Sequence, residues 1–209
     1  MLSCVLATAA LLLVSPAASA ESISITLTGC TTCQGSSFTL TATPTGTPGQ
    51  YTVTLTVDTS TFSGSAQATQ ITSVEFKIVD GDNHGTAVLT LAPGGAGNWT
   101  TMGGPLASTG CEGGNLGFVC SNANSNGLAP LGGTLTWTWT VNLPPGTPLS
   151  LEIHIGAKYN NAAGDKKGWL VSESVVIPEP GTMALFGLGL AGIGGAIRRR
   201  TRRKQQAGA

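Results

Sequence analysis

Charge is what this sequence has least of. Only a tenth of its 209 residues are Asp, Glu, Lys or Arg, ten of each sign. That scarcity excludes a coiled coil, a basic nucleic-acid-binding domain and a charge-driven disordered chain. Histidine is nearly absent: the two, His84 and His154, lie outside any recognisable nucleophile motif, so imidazole chemistry is thinly supplied and no catalytic residue is assigned. No arginine occurs before Arg198, and no helical stripe appears before residue 181. What remains is rich in Gly, Ser, Thr, Leu and Val. The formal charge of zero is a cancellation between segments. All ten acids lie between Glu21 and Glu179, opposed there only by Lys77, Lys158, Lys166 and Lys167, which leaves −6. The other six bases, Arg198, Arg199, Arg200, Arg202, Arg203 and Lys204, give +6 within the last twelve residues. Such asymmetry says more than the sum.

The two ends explain the asymmetry. Residues 1–20 read as a cleavable signal peptide: an apolar run from Val5 to Val14, the helix breaker Pro16, and Ala18-Ser19-Ala20 before Glu21, as a signal peptidase requires. No Lys or Arg precedes the run. Either the true start lies upstream of Met1 or the α-amino group alone orients the segment. Near the other end, Pro178-Glu179-Pro180 precedes an uncharged Leu/Gly-rich stretch over residues 181–197. As a transmembrane helix this stretch spans ~25 Å, enough for a thin bilayer. The basic tail at 198–209 acts as a membrane stop and stays cytoplasmic, placing the acidic portion outside. The signal peptide demands the same orientation.

The order of these three parts, Pro178-Glu179-Pro180, a Leu/Gly-rich span and an Arg-rich stop, resembles the PEP-CTERM sorting signal of Gram-negative bacteria. The resemblance covers about the last thirty residues. It implies that the chain is a substrate of an exosortase, a membrane cysteine protease that cuts near the motif, with Pro178, Glu179 and Pro180 as the recognition element and Arg198, Arg199, Arg200, Arg202 and Arg203 as the stop. The nucleophile then belongs to the protease. The inner membrane is a transient partner, and the product goes to the cell surface or is secreted. The family's association with exopolysaccharide, biofilm and floc formation is likewise an implication of the resemblance.

Residues 21–176 form the exported domain, long enough for a real core. Period-two alternation marks strands at Ile23–Leu27, Tyr51–Val57, Val74–Ile78, Thr134–Leu143 and Leu149–Ala157. Turn signals separate them at 43–49, 80–83, 93–95 and 144–146. The expectation is all-β, roughly eight to ten strands in an antiparallel two-sheet β-sandwich of Ig-like or jelly-roll type. Each sheet is expected to bury one face.

After loss of Cys4 four cysteines remain: Cys30, Cys33, Cys111 and Cys120. In an exported domain this even number suggests disulfides, and three pairings are open. Cys111–Cys120 with Cys30–Cys33 is preferred. The first closes a Gly/Asn-rich ring of ten residues, for which loop entropy gives about 2.7 kcal/mol. The second requires a turn, which Gly29 and Gly35 allow. Zinc binding and a redox C-x-x-C are less favoured, because exported thiols oxidise and no βαβ setting exists.

Asp80-Gly81-Asp82-Asn83-His84-Gly85 begins like a calcium loop, with Asp80 and Asp82 as weak candidate ligands. His84 replaces the third oxygen ligand and Leu91 stands where a bidentate Glu belongs, so a hairpin turn is the preferred reading. Neither a metal nor another cofactor is assigned. Trp137 and Trp139 share a face with Leu135 and Val141 and read as core, whereas Trp99 and Trp169, beside glycines, read as surface candidates for stacking on sugar. His154 falls on a polar strand face, where a solvated histidine is the bland reading. Threonine-lined faces at Thr52/Thr54/Thr56 and Thr134/Thr136/Thr138/Thr140 raise ice or glycan binding, although β-propensity alone explains them. The functional expectation is an exported structural or adhesive matrix protein, with a polysaccharide- or metal-binding module as the alternative. No nucleic-acid partner is expected.

Overall fold

A computed structural model describes residues 22–30, 32–64, 68–81, 85–114, 117–125, 127, 129–150, 152–160 and 170–176. The proposed signal peptide, Asp82, His84, Trp169 and the segment 177–209 lie outside the described residues.

The described chain is all-β, with a single 3-10 turn at Ala96–Asn98. One five-stranded antiparallel sheet, sheet A, runs in the order β1 (Ile23–Leu27), β2 (Ser37–Pro44), β3 (Gln50–Asp58), β10 (Thr134–Asn142), β5 (Thr86–Leu91). Sheet B has the order β12 (Leu170–Val176), β11 (Glu152–Asn160), β4 (Gln70–Lys77), β9 (Phe118–Ala123), β6 (Trp99–Gly103). A short hairpin of β7 (Leu106–Ala107) and β8 (Gly110–Cys111) stands apart. Among the described residues no helix is long and apolar enough to cross a membrane.

Alternation builds sheet A as expected. Tyr51, Val53, Leu55 and Val57 of β3 turn inward, as do Leu135, Trp137, Trp139 and Val141 of β10, while the threonines between them turn outward. The inner faces of the two sheets meet in one apolar core. Phe76 of β4 lies 4.8 Å from Trp139, centroid to centroid, across the interface. The Trp139 indole donates to Ser121 Oγ at 3.0 Å, satisfying a donor that burial otherwise leaves costly. At one end of the core Tyr159 stacks on Phe62 at 4.9 Å, and burial pushes its phenol up to about 12, opposed only in part by the Ser36 hydroxyl.

Two expectations need correction. Trp99 is not a surface residue: it is 6% exposed, meets Trp137 edge-on at 5.4 Å, and donates its indole N–H to Pro93 O at 2.9 Å. Gly97, two residues before it, belongs to the 3-10 turn that leads into β6, and the first residue of that strand faces inward. Sheet B does not bury one face only. Ser73, Glu75 and Lys158 point away from the core, yet each is almost fully buried.

Candidate functional site

What buries the outer face of sheet B is the excursion between β6 and β9. The chain leaves β6 at Gly104 and turns through the β7–β8 hairpin, where Leu106 pairs with Cys111 and Ala107 with Gly110. It is pinned at several points. Cys111 is disulfide-bonded to Cys120 of β9 with the Cα atoms 5.7 Å apart, and the Cys111 N–H donates to Asn122 Oδ1 at 3.0 Å. Beneath the hairpin lies Glu75, 1% exposed, whose Oε2 accepts the Leu106 N–H at 2.6 Å. Gly156, directly across on β11, makes room for it, since a Cβ there collides with the Glu75 carboxylate.

Glu75 is the site residue that sequence reasoning missed. Its position on the polar side of an alternating strand gives no sign that a hairpin closes over it. Its other oxygen, Oε1, lies 3.2 Å from His154 Nε2, and His154 Nδ1 lies 3.2 Å from Ser174 Oγ on β12. His154 is therefore on the outer face, as alternation indicates, but it is clasped between three strands rather than simply solvated. Phe118 meets its ring edge-on at 5.1 Å, and Lys77 Nζ sits 5.2 Å from the Phe118 centroid, within cation–π range. Lys77, Asp80, Phe118, Glu152, His154 and Ser174 line an open pocket of about 150 Å³. Chemically this cluster holds a buried carboxylate in place and orients an imidazole between it and a hydroxyl.

The remaining sequence candidates are dispersed. Cys30 and Cys33 are disulfide-bonded, Cα atoms 5.1 Å apart, and the turn that this requires is closed by the Cys33 N–H bonding to Cys30 O. Thr32 within that turn donates to Glu173 of β12, tying sheet A's first connection to sheet B's edge. Asp80 accepts a hydrogen bond from Ser150 Oγ at 2.6 Å, while Asp82 falls outside the described residues. Among the described residues no group of three or more His, Cys, Asp or Glu side chains is placed to hold a metal ion.

Sheet A presents the opposite kind of outer face. Its threonines, read separately along two strands in the sequence, stand in cross-strand register. Thr26, Thr39, Thr56 and Thr136 form one row. Ser24, Thr41, Thr54 and Thr138 form the next, and Leu91 of β5 continues it. Thr43, Thr52 and Thr140 form a third, continued by Val88. Neighbouring hydroxyls bond within two rows, Thr26 to Thr39 and Thr54 to Thr138, each at 3.3 Å. Asp58, at one end of β3, is the one charged side chain on this face among the described residues. The Ser60 N–H bonds to its carboxylate and holds it below the usual carboxylate range.

Comparison with known proteins accounts for the end of the chain rather than its body. No curated protein matches the sequence. A family model described as the PEP-CTERM protein-sorting motif matches residues 176–200, taking in Pro178-Glu179-Pro180, the Leu/Gly-rich stretch and the first three arginines. This chain is accordingly a protein bearing the PEP-CTERM protein-sorting motif, which supports exosortase-dependent sorting of a surface-exported product.

Proposed function

We propose that this protein is a surface or extracellular-matrix component with a structural or adhesive role linked to exopolysaccharide. In this scheme the signal peptide is removed by signal peptidase, and residues 181–197 hold the domain transiently on the outer side of the inner membrane. An exosortase-like protease then releases it near Pro178-Glu179-Pro180. The sandwich, of the Ig-like or jelly-roll kind, is the delivered cargo. The sorting motif carries the reading, because it joins a domain braced by two disulfides with no linker between them.

The mature C-terminus tests the processing. Mass spectrometry of the secreted protein is expected to find an end close to residue 178, whereas an intact Arg-rich tail on secreted protein refutes it. Deletion of the gene is expected to weaken cell aggregation, and unchanged aggregation refutes the adhesive role. The alternative, a polysaccharide-binding module sorted in the same way, is favoured by one observation, the open hydroxyl face of sheet A.

A further inference from the structure

The outer face of sheet A differs from an ordinary solvated β-face in two independent ways. Surfaces designed for solubility carry about 25–35% charged residues. The three rows here carry none, and Asp58 lies beyond their end. Large exposed apolar side chains are also rare, and the two among the described residues, Val88 (59% exposed) and Leu91 (50%), both border these rows on β5. The face therefore combines methyls, hydroxyls and an apolar margin in one uncharged patch.

Its geometry restricts the partner. Rows recur about every 6.8 Å along the strands, and hydroxyls about every 4.8 Å across them. We propose that this face binds an extended neutral polysaccharide, whose C–H ring faces meet the threonine methyls, Val88 and Leu91 while its hydroxyls exchange hydrogen bonds with the rows. This inference rests on the surface role proposed above and specifies its ligand class. An anionic polymer finds no cation on the face and, in residues 21–176, a domain of net charge −5 behind it. A crystal plane such as ice needs a flat lattice. Adjacent strands rotate by about 20–25°, so the rows turn by roughly 60–75° over four strands, which a flexible chain follows and a rigid plane does not. A second copy of the chain fits less well, since the buried centre of a homodimer interface is more apolar than rows of hydroxyls.

The test is co-sedimentation of the full chain, in mild detergent, with amorphous cellulose, with an insoluble acidic polysaccharide, and with ice in a separate partitioning assay. Retention on cellulose is expected, and any retention on the acidic polymer, through the basic tail at 198–209, is expected to be the same in the parent and in the valine variant below. The double variant Thr54→Val/Thr138→Val removes two adjacent hydroxyls while keeping shape and β-propensity, and is expected to weaken retention several-fold. Thr54→Lys/Thr138→Lys is expected to weaken it at least tenfold, while Thr100→Lys, on sheet B, leaves it unchanged. Retention on ice, or retention on the acidic polymer that the valine variant loses, in place of cellulose binding overturns the proposal. So does undiminished cellulose binding by the folded valine variant, with thermal melting reporting its fold. If cellulose binding fails but deletion of the gene still weakens cell aggregation, the surface role stands and this ligand assignment falls. If cellulose binding holds and aggregation is unaffected, the assignment stands and the adhesive role falls.

Discussion

Removing the Glu75 carboxylate is expected to unseat the hairpin that covers sheet B. In Glu75→Ala the Leu106 N–H, buried and now bonded at 2.6 Å, loses its acceptor. An orphaned buried donor costs about 1–3 kcal/mol, and a hydrogen bond to a charged group is itself worth about 1.5–3. These are two descriptions of the same loss, so they are not added. The vacated side-chain volume beneath a disulfide-pinned hairpin contributes further, because pinned structure collapses poorly. The total is about 3 kcal/mol. His154, whose side chain is 19% exposed, keeps its Ser174 partner, so no second orphaned buried group is created there. Glu75→Gln behaves differently. Its oxygen still accepts from Leu106 and its amide can face His154 Nε2, so the loss is about 1 kcal/mol, the difference between a charged and a neutral acceptor. Urea unfolding under non-reducing conditions measures both. With a slope near 2 kcal/mol/M the alanine variant shifts the midpoint by about 1.5 M and the glutamine variant by about 0.5 M. Hydrogen exchange locates the effect: the Leu106 amide is expected to lose protection in Glu75→Ala while β3 and β10 keep theirs. A Glu75→Ala midpoint within 0.3 M of the parent, or equal shifts for the two variants, refutes the reasoning.

Three further outcomes follow from packing and titration. Tyr159 ionises near 10 in the unfolded chain and at about 12 when folded, so its contribution is intact below pH 10 and is lost as pH rises through 12, by about 2–3 kcal/mol. Stability measured from pH 9 to 12 should fall more steeply in the parent than in Tyr159→Phe, and equal slopes contradict this. Trp99→Ala is expected to cost about 3–5 kcal/mol, since it vacates a buried contact with Trp137, and thermal unfolding with little or no shift shows the burial to be immaterial. Cys111→Ala/Cys120→Ala opens a ten-residue ring and should cost about 2.7 kcal/mol, with faster exchange across β7 and β8; identical urea midpoints for this variant and the parent argue against a bracing role.

How much of this was legible in the sequence depended on which sheet a strand joined. β3 and β10 sit at the centre of sheet A, with one face buried and one open, so strict alternation of Thr with Val, Leu and Trp declares both the strand and its inward side. Strands of sheet B obey the same period, but their polar side is covered. Ser73, Glu75 and Lys158 fall on the polar side of the alternation because local patterning records polarity, and at Glu75 that polarity serves a buried hydrogen bond. The covering segment from Gly104 to Gly114 has no periodicity of its own, since its position comes from a disulfide and side-chain anchors to distant strands. Trp99 was misread for a related reason. Its neighbouring glycine signals a turn, and only the pairing of β6 with β9 decides that the next side chain points inward. The threonine runs were visible strand by strand, but their register into rows is a property of three strand pairings that no single segment contains.

The last strand has a consequence for release. All seven β11–β12 pairs, from Glu152↔Val176 to Lys158↔Leu170, are complete at Val176, the first residue of the matched sorting motif. Excision beyond that residue leaves all seven of these rungs in place, so the domain's melting temperature is expected to be the same before and after cleavage. What changes is reach. From Val176 to the proposed membrane segment at residue 181 the chain can extend at most about 18 Å. A domain of this size has a radius of gyration of about 15 Å. In the proposed scheme the uncut protein is thus on a leash shorter than its own body is wide, which keeps it close to the bilayer. In that scheme proteolysis is expected to leave the fold in place and to give it rotational and translational freedom, so the cut sets when the domain can first engage a distant surface.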